Sequence, residues 1–243
     1  MSKYDNYLFR CSALGKIVTK SGKLTDGAKT YISQCFVEAE TGQRKRAFGK
    51  ALEKGVATEQ DIIQLINNVI YPDRFVARET ESKANEFIKG TRDLSVDGIT
   101  YDCKSAFDEF TFQKSDLTWL YEWQLRGYMW LYGDKQARLF YGLVNMPDPM
   151  IYDEVRKTFY SHPGKWLSMD DPDFLKVADE IEQSRNYDDI SEIERCRVWH
   201  IDQEDTDIER IKDAVSDARN YMNQLCKEKS DMIEFINSLK QTK

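Results

Sequence analysis

Histidine is nearly absent from this chain: His162 and His200 are the only two in 243 residues. Chemistry that needs several imidazoles, as metal ligands or as a base beside a nucleophile, is excluded as a first reading. The cysteines Cys11, Cys35, Cys103, Cys196 and Cys226 are scattered and form no Cys-x-x-Cys pair. That excludes a zinc ribbon or a clustered iron–sulfur site and leaves free thiols acting as small hydrophobes. No apolar run approaches the roughly 20 residues a membrane helix needs. The polar stretch Met1–Asn6 lacks a signal-peptide pattern, so an intracellular protein with no membrane role is expected. There is no internal repeat, no low-complexity linker and no Gly-x4-Gly-Lys-Ser/Thr loop, which excludes an ATP-driven motor. Basic excess is missing too: the net charge is −7, which excludes a simple DNA-coating protein.

What is present is a normal globular composition, 41% hydrophobic, 12% aromatic and 32% charged. The length suits a single domain over 1–243, with a core at about 8–145 and a C-terminal strand and helices at about 165–243. The charge is uneven. Residues 1–60 carry 11 basic and 6 acidic side chains, about +5, so the remainder carries about −12. A phosphate-binding surface should therefore draw on the N-terminal quarter. The many carboxylates between Asp170 and Asp213 would keep any polyanionic ligand away from their part of the surface.

Periodicity and punctuation predict the elements. Residues 7–14 form a short apolar opening segment, and Lys20–Lys23 a turn. A helix capped by Thr25 runs over Asp26–Ala39, and Gly42–Arg46 is a basic loop. A second helix spans Thr58–Val69, its start resembling a capping box at Thr58–Asp61. One or two strands fall within 74–96, and another at Ile99–Ala106. An aromatic-rich helix covers Thr118–Tyr132, with Trp119, Trp123 and Trp130 at core spacing, and ends at Gly133. A strand at Ala137–Val144 leads into a Pro147/Pro149 loop. A helix at Pro172–Gln183 and a strand at Arg195–Ile201 follow. Asp205 or Thr206 caps a long helix to about Lys227, and another runs over Ser230–Leu239. This order implies a mixed α/β layered domain, a central mixed sheet flanked by helices with a helical C-terminal elaboration.

The most informative stretch is Gly90–Lys104. Asp97-Gly98 between alternating apolar residues signals a two-residue β-hairpin. Its register sets Val96 against Ile99, Ser95 against Thr100, Leu94 against Tyr101 and Asp93 against Asp102. Alternation puts Leu94, Val96, Ile99, Tyr101 and Cys103 on one face. Asp93, Ser95, Thr100, Asp102 and Lys104 take the other. Opposed carboxylates repel, and a divalent cation between them turns that cost into a site. Two acids and a lysine around a metal suit phosphodiester hydrolysis. Gln124 and Tyr128, four apart on the aromatic helix, share a face. Glu59 opens the earlier helix, where it either approaches the same metal or serves as a first-turn acid favoured by the helix dipole.

Gly-Thr-Arg-Asp at 90–93, Asp-Cys-Lys at 102–104 and Gln-x-x-x-Tyr at 124–128 resemble the PD-(D/E)xK nuclease superfamily, in its RecB-type and lambda-exonuclease-like branch. Lys54–Glu59 is similar to its first motif, a Gly followed by a helix bearing a Glu. Phe9–Gly15 is similar to the segment that contacts a DNA 5′ phosphate. Arg92 stands where the family name has Pro. The resemblance implies a restriction-endonuclease-like core and a metal-dependent deoxyribonuclease, an exonuclease acting on double-stranded DNA ends in phage-type recombination or repair. Asp93 and Asp102 would hold Mg²⁺ (or Mn²⁺), helped by the Cys103 backbone carbonyl and Glu59. Lys104 would activate water and stabilise the phosphate, and Gln124 would buttress the site. Arg10, Ser12, Tyr128, Arg44 and Arg46 would contact DNA. A single-strand annealing protein and a homo-oligomer, in lambda-type enzymes a trimer, are the implied partners. If phage-encoded, the protein would work in the host cytoplasm. An endonuclease on the same core and an inactive DNA-binding scaffold are the alternatives.

Overall fold

The computed structural model describes residues 2–45 and 48–241. The chain opens with β1 (Phe9–Arg10), a single 3-10 turn and α1 (Leu14–Ile17). Next come α2 (Asp26–Thr41), α3 (Lys50–Ala57) and α4 (Glu59–Val69). Four strands follow: β2 (Lys83–Ala84), β3 (Ile88–Gly90), β4 (Leu94–Val96) and β5 (Ile99–Ser105). Then α5 (Glu109–Gln113), α6 (Trp119–Tyr132), β6 (Gln136–Gly142), α7 (Asp148–Tyr160), α8 (Pro172–Gln183), β7 (Cys196–Asp202) and α9 (Asp207–Gln241) complete the order.

The main sheet runs β4-β5-β6-β7, with β5 and β6 parallel and both outer pairs antiparallel. The predicted hairpin register is present residue for residue from Leu94 to Tyr101. Its turn has positive φ at both Asp97 (53°) and Gly98 (75°), the type I′ geometry whose twist matches the strands. A small second sheet, β1-β3-β2, holds the segment before the hairpin. The region 74–96 thus contributes three strands divided between two sheets, because Arg92 and Asp93 separate β3 from β4.

Helices cover both faces of the main sheet. Ile62, Ile63, Leu65 and Ile66 of α4 pack on Leu94, Val96, Tyr101 and Phe140. On the opposite face, Leu125 and Met129 of α6 pack on Ala137, Leu139 and Ile201. Both faces of β5 are therefore buried, and Thr100 and Asp102 are as enclosed as their apolar neighbours. A larger core joins the N-terminal segment, α2, α6 and α9 through Phe9, Leu14, Ile32, Trp123 and Val215. There α1 and α6 approach closely. A Cβ on Gly15 would lie 2.7 Å from the Leu120 Cα, and one on Gly127 would lie 2.5 Å from Leu14 Cδ1.

Four local expectations are corrected. Thr58 makes no capping box: its Oγ1 donates to the Lys54 carbonyl at 2.8 Å, because α3 ends directly where α4 begins. Gly55 accordingly lies inside α3 rather than ahead of a helix. The Pro147/Pro149 stretch begins α7, where a proline in the first turn loses no hydrogen bond. The two C-terminal helices are one, α9, since nothing in Lys227–Ser230 breaks it. Ile211, Val215, Ala218 and Met222 seat α9 in the core. From Lys227 to Lys240 the described side chains are exposed.

Candidate active site

The hairpin turn sets the register, and the register sets the site. Asp102 lies on β5 with its side chain toward α6 and is 1% exposed. Its Oδ1 accepts from Gln124 Nε2 at 2.6 Å, and Gln124 Nε2 also donates to Tyr128 Oη at 3.2 Å. One turn of helix thus spaces the two residues that orient this carboxylate. Lys104, two positions along β5, places Nζ 2.6 Å from Asp102 Oδ2. The contact is a short ion pair, and Oδ2 accepts from no other group. Asp93 precedes β4, and its Oδ2 accepts the Cys103 N–H at 2.6 Å.

The electrostatics follow from this crowding. Burial pushes the Asp102 carboxyl above the usual carboxylate range; Asp93 adds to the rise and Lys104 opposes it. Burial also works against the Lys104 ammonium, but Asp102 and Asp93 outweigh it and hold its pKa above the ordinary lysine value. Burial, reinforced by the same two carboxylates, pushes the Cys103 thiol far up, so this cysteine is no nucleophile.

Asp93, Cys103 and Lys104 open onto a cleft of about 480 Å³, bounded by α3, the start of α4, Tyr121 and Tyr141. One wall is apolar, with Leu52 and Val56 of α3 more than half exposed (51% and 63%). Glu59 lines the same cleft. Its carboxylate is paired with Arg78, whose Nη2 donates to Oε1 at 3.3 Å and whose Nη1 donates to Oε2. Arg78 carried no signal in the sequence, since it lies in an irregular stretch and in no motif.

Among the described residues no three His, Cys, Asp or Glu side chains converge tightly enough to make a metal site alone. Asp93 and Asp102 nevertheless fit a hard cation. The buried Asp102 Oδ2 has only the Lys104 ammonium beside it, and Asp93, close enough to act on Asp102, lines the open cleft. Mg²⁺ keeps several waters and needs only one or two carboxylates from a protein.

Arg92 braces the pair from behind. Its Nε donates to Glu79 at 2.5 Å, its Nη1 to Asp134 at 2.5 Å, and its guanidinium lies 4.0 Å above the Tyr132 ring. The Glu79 N–H in turn donates to the Asp93 carbonyl at 2.7 Å.

The structure thus brings Glu59, Asp93, Asp102, Cys103, Lys104 and Gln124 together, with Tyr128 buried behind them at 5% exposure. Arg10, Ser12 and Arg44 do not line this cleft. Arg10 is on β1 and ion-paired to Glu38, Ser12 is exposed on the following turn, and Arg44 is exposed after α2. Arg46 lies outside the described residues.

No family model matches the chain, and no curated protein matches it in sequence. Solved structures do. A phage-related exonuclease from Haemophilus somnus 129PT superposes with a TM-score of 0.69 at 28% identity, over 92% of this chain and 96% of that one. This is a lambda-exonuclease-like PD-(D/E)xK fold. An alkaline exonuclease from Laribacter hongkongensis shares it at a TM-score of 0.60 and 12% identity, over 94% of this chain and 96% of that one. The same enzyme in complex with dAMP gives a TM-score of 0.60 at 13% identity, over 93% and 94%. The likeness therefore extends over nearly the whole chain. No helix among the described residues is long and apolar enough to cross a membrane.

Proposed function

We propose that this chain is a divalent-cation-dependent exodeoxyribonuclease that digests double-stranded DNA from its ends. One observation carries the reading: the buried Asp102 carboxylate, close to Asp93 and paired with Lys104, with Asp93 and Lys104 themselves lining an open cleft. The 28% identity with a phage-related exonuclease over nearly the whole chain supports it. Asp93 and Asp102 would hold Mg²⁺, or Mn²⁺ in its place, with the Cys103 carbonyl and Glu59 as further donors. When bound, the cation lowers the pKa of water and offsets charge on the phosphate.

The protein's own groups have distinct tasks. Gln124 fixes the rotamer of Asp102 so that Oδ1 faces α6 and Oδ2 faces Lys104. Tyr128 holds Gln124 in turn. Lys104 is an ammonium, able to donate but not to accept a proton. It would hold the attacking water or a phosphate oxygen and stabilise the negative charge that builds there. Leu52 and Val56 offer apolar surface to a base beside the scissile phosphate. Work in phage-type recombination or repair, in a homo-oligomer and beside a single-strand annealing protein, belongs to the same proposal.

Digestion of 5′-labelled linear duplex and of closed circular duplex with Mg²⁺ tests it, comparing the wild type with Lys104→Ala and Asp102→Ala. Loss of linear DNA alone, abolished in both variants, is expected. Cleavage of the circle would make the protein an endonuclease, and no cleavage with either Mg²⁺ or Mn²⁺ would make it an inactive scaffold.

A further inference from the structure

The cleft has two cations among its described lining residues, Lys104 and Arg78. They are held very differently. Lys104 is committed to the carboxylate pair behind it. Arg78 is an exposed side chain whose carboxylate partner, Glu59, is itself 40% exposed. A half-exposed ion pair contributes little, about 0–1 kcal/mol, so a stronger acceptor can replace the carboxylate. A phosphate diester is such an acceptor, because the guanidinium fork matches two of its oxygens.

The backbone around Arg78 is fixed while its side chain stays exposed at the cleft. Val76 is pinned two residues before it, through its N–H to Asn67 Oδ1 at 2.7 Å and its carbonyl to Asn67 Nδ2 at 2.9 Å. Glu79 is pinned one residue after it, through its N–H to the Asp93 carbonyl at 2.7 Å. The Arg78 head is thereby presented at the rim of the same cleft as Asp93 and Lys104 at little entropic cost. Charge gives it a reason to be there. Glu59, Asp93 and Asp102 bring three negative charges to this corner against Lys104 and Arg78, a net −1 that becomes −2 without Arg78, so the guanidinium lessens the repulsion an anionic strand meets.

We infer that Arg78 is a DNA-phosphate-binding residue, parked on Glu59 in the free protein and transferred to a backbone phosphate when DNA enters the cleft. The inference rests on the nuclease reading. It makes Glu59 a competitor for Arg78 as well as a candidate cation ligand, and it places a specificity-neutral backbone contact opposite the apolar wall.

The test is equilibrium binding of a short linear duplex in Ca²⁺, a hard oxygen-seeking cation, across a series of salt concentrations. Wild type, Arg78→Gln, Arg78→Lys and Glu59→Gln are compared. One lost phosphate contact lowers the slope of log K against log salt by about 0.9, so Arg78→Gln should show that drop with roughly tenfold weaker binding. Arg78→Lys should keep the slope, because the charge remains. Glu59→Gln should bind several-fold more tightly, since it frees Arg78 and removes a negative charge. An unchanged slope in Arg78→Gln, while the wild type binds normally, would overturn this inference and leave the nuclease reading standing. Wild type that binds no duplex would instead overturn the nuclease reading. A thermal melt of each variant separates misfolding from loss of contact, and Arg78→Lys, with charge and stem retained, keeps the comparison interpretable if Arg78→Gln fails to fold.

Discussion

Replacing Lys54 by Met tests how the cleft wall is held. Lys54 is fully buried, yet its ammonium reaches no carboxylate. It donates instead to three carbonyls: Ala106 at 2.9 Å, Phe107 at 3.1 Å and Val144 at 2.7 Å. These carbonyls follow the ends of β5 and β6, so Lys54 ties α3 to the strands that carry Lys104. Hydrogen bonds from a charged donor contribute about 1.5–3 kcal/mol each. Against them stands the cost of burying the charge. Burial lowers the Lys54 pKa from 10.5 to about 8, and at 1.36 kcal/mol per pKa unit that cost is about 3 kcal/mol. Met matches the stem but leaves three acceptors unpaired, so Lys54→Met should destabilise the protein by about 2–5 kcal/mol. Urea unfolding at pH 7 measures this, with the m-value checked for constancy. The pH dependence carries a sign. Because the folded-state pKa lies below the unfolded one, the unfolded chain binds more protons between pH 8 and 10.5, and wild-type stability gains from this site as pH rises through that window. Lys54→Met lacks the gain, so the gap between the two proteins should widen from pH 8 to 10.5. A variant within about 0.5 kcal/mol of wild type, or a gap that narrows with pH, would refute the reasoning.

Four further outcomes are expected. Lys104→Ala should cut cleavage of linear duplex by about 10²–10⁴-fold, since a charge-stabilising donor at the reacting phosphate is lost; activity within tenfold of wild type in a gel assay would remove Lys104 from the site. Gln124→Ala frees Asp102 Oδ1 and should lower kcat or cation affinity by about 10–100-fold, read by Mn²⁺ titration calorimetry, and unchanged cation binding together with unchanged kcat would make Gln124 a packing residue. Gly15→Ala drives a methyl into the backbone of α6 and should cost about 1–3 kcal/mol; a neutral urea midpoint would mean the two helices can separate freely. Deleting residues 230–243, where the described side chains are exposed and Met232, Phe235, Ile236 and Leu239 lie along the helix, should change stability by less than about 1 kcal/mol, whereas a larger loss that depends on protein concentration would show that this stripe is covered by another chain.

Some elements were legible because one local rule governs them. Asp97-Gly98 could make only a tight hairpin, and the period-2 pattern on each side then fixed which residues oppose. Thr118 and Gly133 bracket α6 by cap chemistry alone, Thr118 accepting the Tyr121 N–H at 3.4 Å and Gly133 adopting φ 79°. Helix α8 begins and ends where Asp171-Pro172 and Gln183 place it. Misread elements are those whose local signals compete. Gly55 argues for a break but sits in α3, because Lys54 beside it is anchored in three carbonyls. Pro149 argues for a loop but occupies the first turn of α7.

The sequence by itself determined the hairpin, the Asp93, Asp102 and Lys104 set on it, and the Gln124–Tyr128 pair that supports them. Each depends on contacts within a few residues or on a single turn. Tertiary structure decided how these residues behave. It buried Asp102 under α6 with one of its oxygens on Gln124, it turned Glu59 toward Arg78, and it bounded the cleft with α3. Those outcomes depend on desolvation and on partners 19 or more residues away in the chain, and no local pattern of residues encodes either.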